Sequence, residues 1–304
     1  MNRIAALVAT VSLVATAAAA APAQSSDPLL QPVAPAYAAR WLKPQPPHRI
    51  FGNTYLVGFA GLNVGLIRTS AGLILIDGAL PQAVHDVEAN IRLLGFDPRD
   101  IKFILSTEPH YDHASGIAAL ARDSGATAVA SGWAAASLRS GRPLPDDPQA
   151  STLENFPAVT KVRVVRDGER IKLGDVTVTA RMTPGHTPGS MSWTWRSCEG
   201  RHCVDVVFAS SLNPISADDY RFTDPAHAGL VAAFRRSIAT VASLPCGLLL
   251  SAHPEPSGGD RKYLSLLAGA PDNPFFDPGA CRAYAEAAGQ ALDARLAKER
   301  SGPS

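Results

Sequence analysis

Neither sign of charge dominates this chain: Lys and Arg total 28 and Asp and Glu 27 over 304 residues. No basic stripe or interleaved aromatic run stands out, so the sequence lacks the electrostatic footprint of a nucleic-acid binder, and a small substrate is the default partner. Cysteine is scarce, at four residues, and none is spaced Cys-x-x-Cys, which argues against a cysteine-rich zinc module. No internal repeat is visible, and no loop composition demands a domain boundary. One uncharged run, Ile4 to Ala21, follows Met1-Asn2-Arg3. Its basic start, its Ala-rich rather than Leu-rich middle and the small residues of Ala21-Pro22-Ala23 predict a cleaved secretory signal over 1–23. A permanent anchor is the competing reading, because a run of roughly 18 residues approaches the length of a spanning helix.

The remainder, 24–304, is long enough to bury a sizeable core without metals or disulfides, and we read it as one domain. Gln24 to Pro35 is proline-rich and short of charge, as expected of an extended arm. Export exposes thiols to oxidising conditions, which favour disulfides. Cys198 and Cys203 flank Glu199-Gly200-Arg201-His202, a hairpin-turn composition suited to a local bridge. Cys246 and Cys281 would then form the other, although four cysteines allow three pairings.

Short apolar segments separated by glycines, at 54–59, 64–68 and 73–76, predict a β-meander. Val84, Val87, Ile91 and Leu94 recur at helical spacing within 82–94. A strand over 102–106, a helix through Ile117, Leu120 and Ala121 ending near Gly125, and a strand–helix unit over 126–138 follow. Residues 140–156, rich in Pro, Gly, Asp and Ser, predict a long surface loop that shapes substrate choice. Strands are expected again at 161–165, 176–180, 191–195 and 204–209, then helices over 229–243 and 278–298 with a strand running to His253 between them. Such mixed blocks, occurring twice, predict an α+β fold of two face-to-face sheets with helices outside.

The densest chemistry lies in Glu108-Pro109-His110-Tyr111-Asp112-His113, directly after the strand at 102–106. Imidazole and carboxylate donors in this mixture suit zinc or another borderline first-row metal better than calcium or magnesium. So short a segment cannot complete the coordination of two ions. His186, in Thr183-Pro184-Gly185-His186-Thr187-Pro188-Gly189-Ser190, and His253, at the end of Gly247-Leu248-Leu249-Leu250-Ser251-Ala252, both stand where a strand gives way to a loop. Rigid scaffolds place reactive groups at such junctions. Each residue also has a plainer reading. Asp112 suits a helix N-cap, Glu108 suits an unbound carboxylate orienting a ligand histidine, and His186 and His253 suit buried structural histidines. His48, His85, His202 and His227 lack a partner pattern and are taken as surface or packing residues.

These motifs resemble the metallo-β-lactamase superfamily, whose signature is His-x-His-x-Asp-His followed by two distant histidines. Ile50-Phe51-Gly52-Asn53, Asp77-Gly78-Ala79-Leu80, the His186 turn with Ser192-Trp193, and Ser211-Leu212 resemble subclass B3 in particular. The resemblance implies an αββα four-layer sandwich and a periplasmic β-lactam hydrolase, hence antibiotic resistance. It also implies one zinc on Glu108, His110 and His186 and a second on Asp112, His113 and His253. A hydroxide would bridge the two ions, with Asp112 as the catalytic residue orienting it. Ser211 and Asn213 would contact substrate carboxylate or water, Asn213 standing where the family often has serine, and Cys246–Cys281 matches the family disulfide. A monomer acting on a small-molecule β-lactam, with no nucleic acid and no membrane in the mature form, is expected.

One departure matters: Glu108 stands where the signature has its first histidine. A carboxylate makes the site more negative, so a zinc there should be a weaker Lewis acid. A lactonase or other ester or thioester hydrolase of the superfamily is therefore a competing reading, as is a non-catalytic metal-binding protein. A di-iron oxygen-reducing protein fits less well, because its glutamate belongs at the middle ligand position, here His110.

Overall fold

In the computed structural model, which describes residues 26–302, two β-sheets lie face to face between two layers of helices. The first sheet holds β1 (His48–Phe51), β2 (Thr54–Leu56), β3 (Gly65–Thr69), β4 (Gly72–Ile76), β5 (Ile101–Leu105), β6 (Thr127–Ala130) and β7 (Val162–Val164) in that order. Antiparallel pairing runs from β1 to β4 and parallel pairing from β4 to β7. In the second sheet the order is β12 (Leu248–Ser251), β11 (His202–Ala209), β10 (Met191–Glu199), β9 (Val176–Met182), β8 (Arg170–Leu173), with β11 and β12 parallel and the rest antiparallel.

Three apolar clusters explain the four layers. Period-two alternation sends Ile74 and Ile76 of β4 to the inter-sheet core, against Trp193, Val206 and Phe208, while Leu73 and Leu75 face the opposite way. The outward set meets α2 (Val84–Leu93), α4 (Ile117–Ser124) and α5 (Gly132–Ser140) through Val87, Ile91, Leu120 and Leu138. Across the second sheet, Val207 and Leu249 pack on Phe234 and Val241 of α6 (Ala228–Ser243) and on Ala285 and Leu292 of α8 (Ala280–Ser301). The αββα sandwich follows from strands that are apolar on both faces.

Some elements differ from expectation. The segment around Gln24–Pro35, read as an extended arm, instead makes a 3₁₀ turn at Pro28–Leu30 and buries Leu30, Val33 and Ala34. The backbone of Val33 exchanges two hydrogen bonds with the Gln82 side chain. A helix, α1 (Pro35–Trp41), follows. Strand β8 escapes sequence reading because only Ile171 of its four residues is buried. Helix α7 (Gly259–Leu267) escapes because its apolar content is small and its start is Gly-Gly. Disulfides join Cys198 to Cys203 across the β10–β11 hairpin and Cys246 to Cys281 at the start of α8. The expected 1–23 signal lies outside the described residues. Among the described residues, no helix is long and apolar enough to cross a membrane.

Candidate metal centre

Five strands end at one edge of the sandwich, and each is followed by a site residue: Asp77 after β4, Glu108 to His113 after β5, His186 after β9, Ser211 after β11 and His253 after β12. Two bonds lock the sheets together here. Met191 N–H donates to Thr107 O at 2.7 Å, and Trp193 Nε1–H donates to Ser106 O at 3.2 Å. Asp112 and His113 sit in α3 (Tyr111–Ala114), a single helical turn.

The predicted ligands gather as two triads, Glu108, His110, His186 and Asp112, His113, His253, with the donor atoms of each triad within 4.8 Å of one another. In the first, His186 Nε2 lies 3.2 Å from His110 Nδ1 and 3.5 Å from Glu108 Oε1. In the second, Asp112 Oδ2 lies 3.1 Å from His253 Nε2 and 3.3 Å from His113 Nε2, and those two nitrogens are 3.1 Å apart. Glu108 also reaches the second triad, with Oε1 3.2 Å from His113 Nε2.

The far nitrogen of each imidazole explains which one is left for a metal. His186 Nδ1 faces Asn213 O at 3.0 Å, His253 Nδ1 faces Gly61 O at 3.1 Å, and His110 Nε2 faces Asp147 Oδ2 at 3.0 Å. Each of these acceptors fixes the ring proton on the far side. His113 Nδ1 lies 3.4 Å from Asp77 Oδ2, an ion-pair contact, and is a buried nitrogen with no aligned hydrogen bond among the described residues. Fixing the protons this way leaves the lone pairs of His110 Nδ1 and His186 Nε2 facing each other at 3.2 Å. Two nitrogens so close share either a proton or a metal ion, and the imidazole and carboxylate donors gathered here fit a metal in chemistry and in ring orientation.

Electrostatics agree. Burial pushes Glu108 up, but the imidazoles of His113, His186 and His110 outweigh it and hold the carboxyl at about 2. Burial opposes ionisation of Asp112 too, yet His113 and His253 keep it well below the usual carboxylate range. His113, disfavoured as a cation by burial, is raised well above the usual imidazole range by Asp112 and Glu108. His186 is lowered, chiefly by burial.

Behind α3, Asp77 receives Thr107 N–H at 2.7 Å and Thr107 Oγ1–H at 2.6 Å. Its φ of 63° and the φ of 56° at Ala79 are left-handed, which costs energy for non-glycine residues and is tolerated where surrounding contacts enforce it. Gly78 N–H donates to His113 O and Gly116 N–H to Ala79 O, so the two turns meet backbone to backbone.

Sequence reading gave Asp77 no role and missed Asp147 and Gln149. Asp147 is buried within 140–156, the stretch read as a surface loop, and nothing in Pro145-Asp146-Asp147-Pro148 separates it from its exposed neighbour. Ser211 is brought to Glu108: its N–H donates to Oε2 at 2.9 Å and its hydroxyl to Oε1 at 2.8 Å. A cleft of about 380 Å³ opens over His110, Asp112, His186 and His253, rimmed by Tyr37, Trp41, Tyr111, Gln149, Leu153 and Ile215. Asn213 lines it, and its buried Oδ1 has no hydrogen-bond partner among the described residues. Ser211 faces an adjoining pocket of about 220 Å³ against α8. Away from this edge, His227 stacks on Tyr220 and His202 packs edge-on to Phe51.

Residues 57–253 match the family model of the metallo-β-lactamase superfamily. The chain belongs to that superfamily. Within it, solved B3 metallo-β-lactamases are similar over most of their length. One, described as the first B3 enzyme with an active-site glutamic acid, is 55% identical with a TM-score of 0.85, covering 91% of this chain and 100% of that one. MEM-A1, a subclass B3 enzyme from a soil metagenome library, is 45% identical with a TM-score of 0.83, covering 86% of this chain and 99% of its own. BJP-1 of Bradyrhizobium japonicum, also subclass B3, is 36% identical with a TM-score of 0.79, covering 87% and 98%. A B3 relative is thus described with an active-site glutamic acid, and this metallo-β-lactamase carries Glu108 in its first triad.

Proposed function

We infer that the protein is a zinc-dependent β-lactam hydrolase, with one zinc on Glu108, His110 and His186 and the other on Asp112, His113 and His253. The observation that carries this reading is the pair of triads meeting under one cleft, with the far nitrogens of His110, His186 and His253 each facing an oxygen acceptor. Imidazole and carboxylate donors suit zinc. Zinc held by these residues would supply Lewis acidity, to lower the pKa of bound water and to polarise the lactam carbonyl.

The chain's own residues do the rest. Asp112, with Oδ2 turned to His113 and His253, has its other oxygen to hold the attacking water by a hydrogen bond, which makes it the catalytic residue. Ser211 has both donors engaged on Glu108, so we assign it to holding that ligand rather than to touching substrate. Asn213, which lines the cleft, is the residue we assign to substrate contact. Trp41, Tyr111 and Leu153 offer apolar surface against which a β-lactam substituent excludes water.

Relatives that are B3 β-lactamases at 36–55% identity favour the β-lactam over an ester or thioester. We further propose that residues 24–304 act as one domain, because both sheets supply ligands to one site, and that the mature chain is a periplasmic monomer. The composition of 1–23 and the two disulfides support export.

The test is hydrolysis of a penicillin, a cephalosporin and a carbapenem by the mature protein with zinc and after chelation. Chelator-sensitive turnover is expected. Two bound zinc ions with no turnover of any of the three would move the assignment to another amide or ester.

A further inference from the structure

Asp147 is the one acidic side chain that the 140–156 loop sends into the metal centre, and it makes two kinds of contact there. Its carboxylate faces His110 Nε2 with both oxygens, Oδ2 at 3.0 Å and Oδ1 at 3.2 Å. Its Oδ1 also accepts Gln149 N–H at 2.8 Å, while Asp147 N–H donates to Leu144 O and Ala150 N–H to Asp147 O. The side chain is 1% exposed, so its charge does not serve solubility. Burying a carboxylate is costly unless it is paired, and His110 is its partner.

His110 also differs from the other three histidines. They offer Nε2 to the triads, whereas His110 offers Nδ1. A neutral imidazole carries one ring proton, so Nδ1 can ligate only while that proton stays on Nε2. A carboxylate is acceptor-only when ionised, so Asp147 permits no other placement.

We propose that Asp147 is the positioning residue of the first metal: it holds His110 in the tautomer that frees Nδ1, and it ties the 140–156 loop to occupancy of that metal. This rests on the two-metal reading above. Gln149, whose amide is anchored on the same carboxylate, extends its side chain to within 3.4 Å of His186 Nε2, so the loop touches both histidines of the first triad. Farther along, Ala217 N–H donates to Pro148 O, Ser151 Oγ–H to Asp219 at 2.7 Å and Ala34 N–H to Glu154 at 3.2 Å. The loop therefore cannot leave its seat without releasing His110.

The decisive variant is nearly isosteric. In Asp147→Asn one oxygen still takes Gln149 N–H, but the amide nitrogen donates to His110 Nε2 and drives the ring proton onto Nδ1, the ligand atom. Purified mature protein would be titrated with zinc against a chromophoric chelator, alongside nitrogen NMR of the labelled histidine rings in the chelator-stripped protein. The expected result is first-site affinity weakened by about 10- to 100-fold, the range seen when such supporting groups are removed, with the second site within about twofold of wild type. The His110 proton should move from Nε2 to Nδ1. Asp147→Ala, which removes the acceptor without supplying a donor, should weaken the first site while leaving the ring a mixture of tautomers. Ser151→Ala, which loosens only the outer end of the loop, should leave zinc affinity near wild type.

Wild-type first-site affinity in Asp147→Asn, or an unmoved ring proton, would overturn the proposal. So would an equal loss in Ser151→Ala, since a loosened loop alone would then account for the effect. Wild-type protein that takes up no zinc would overturn the two-metal reading itself, a separate and recognisable outcome.

Discussion

Ser211 grips both oxygens of Glu108, its N–H on Oε2 at 2.9 Å and its hydroxyl on Oε1 at 2.8 Å. This clamp suits a carboxylate, because each donor finds its own charged acceptor, and hydrogen bonds to charged groups are worth about 1.5–3 kcal/mol. It also aims Oε1 at both triads, 3.5 Å from His186 and 3.2 Å from His113. Ser211→Ala should therefore weaken zinc binding at the first triad severalfold with little change in folding cooperativity. Chelator competition measures it, and an unchanged first-site affinity would show that the hydroxyl is dispensable.

Replacing Glu108 with histidine separates reactivity from stability. A neutral ligand leaves a stronger Lewis acid, so turnover at saturating zinc should rise. The same change strips Ser211 N–H of its acceptor in a fully buried setting, which costs about 1–3 kcal/mol. Steady-state kinetics paired with urea unfolding test both halves, and lower turnover at saturating zinc would count against the charge argument.

Protonation sets opposite pH trends with and without metal. His113 is raised above its unfolded value, so in chelator-stripped protein its contribution is full below about pH 6.5 and is lost as pH rises through its higher folded value. Asp112 is depressed, so its contribution is present above about pH 3.9 and is lost as pH falls through its low folded value. Stripped protein should be most stable between those limits and weaken towards alkaline pH. Zinc competes with the proton on His113, so the gap in Tm between zinc-loaded and stripped protein should widen from pH 6 to pH 8.5. Parallel Tm curves would contradict this.

Gly116 permits the close approach that seats Asp77 behind His113. A Cβ there would lie 2.1 Å from Gly78 O, a backbone atom that cannot swing aside. Gly116→Ala should cost about 2 kcal/mol or more, in the range of overpacked cores, and should also lower second-site zinc affinity by displacing α3. A Tm within a degree of wild type would mean that the Asp77 turn yields more readily than its hydrogen bonds imply.

Much of the protein is legible in the linear sequence. Glu108 through His113 carry their chemistry within six residues, and His186 and His253 sit at strand ends marked by apolar runs and by Pro and Gly. Period-two strands such as β9 and period-3.6 helices such as α2 declare which faces they bury, and local sterics with hydrophobic patterning suffice for that. The tertiary structure decided what depends on groups distant in sequence. It turned Ser211, 103 residues from Glu108, into that ligand's clamp, and it picked Asp147 rather than Asp146 to back His110. Residue identity fixes which donors and acceptors a side chain owns. Which of them face a metal is fixed by partners brought from other strands and loops, and these are set only when the two sheets close on one another.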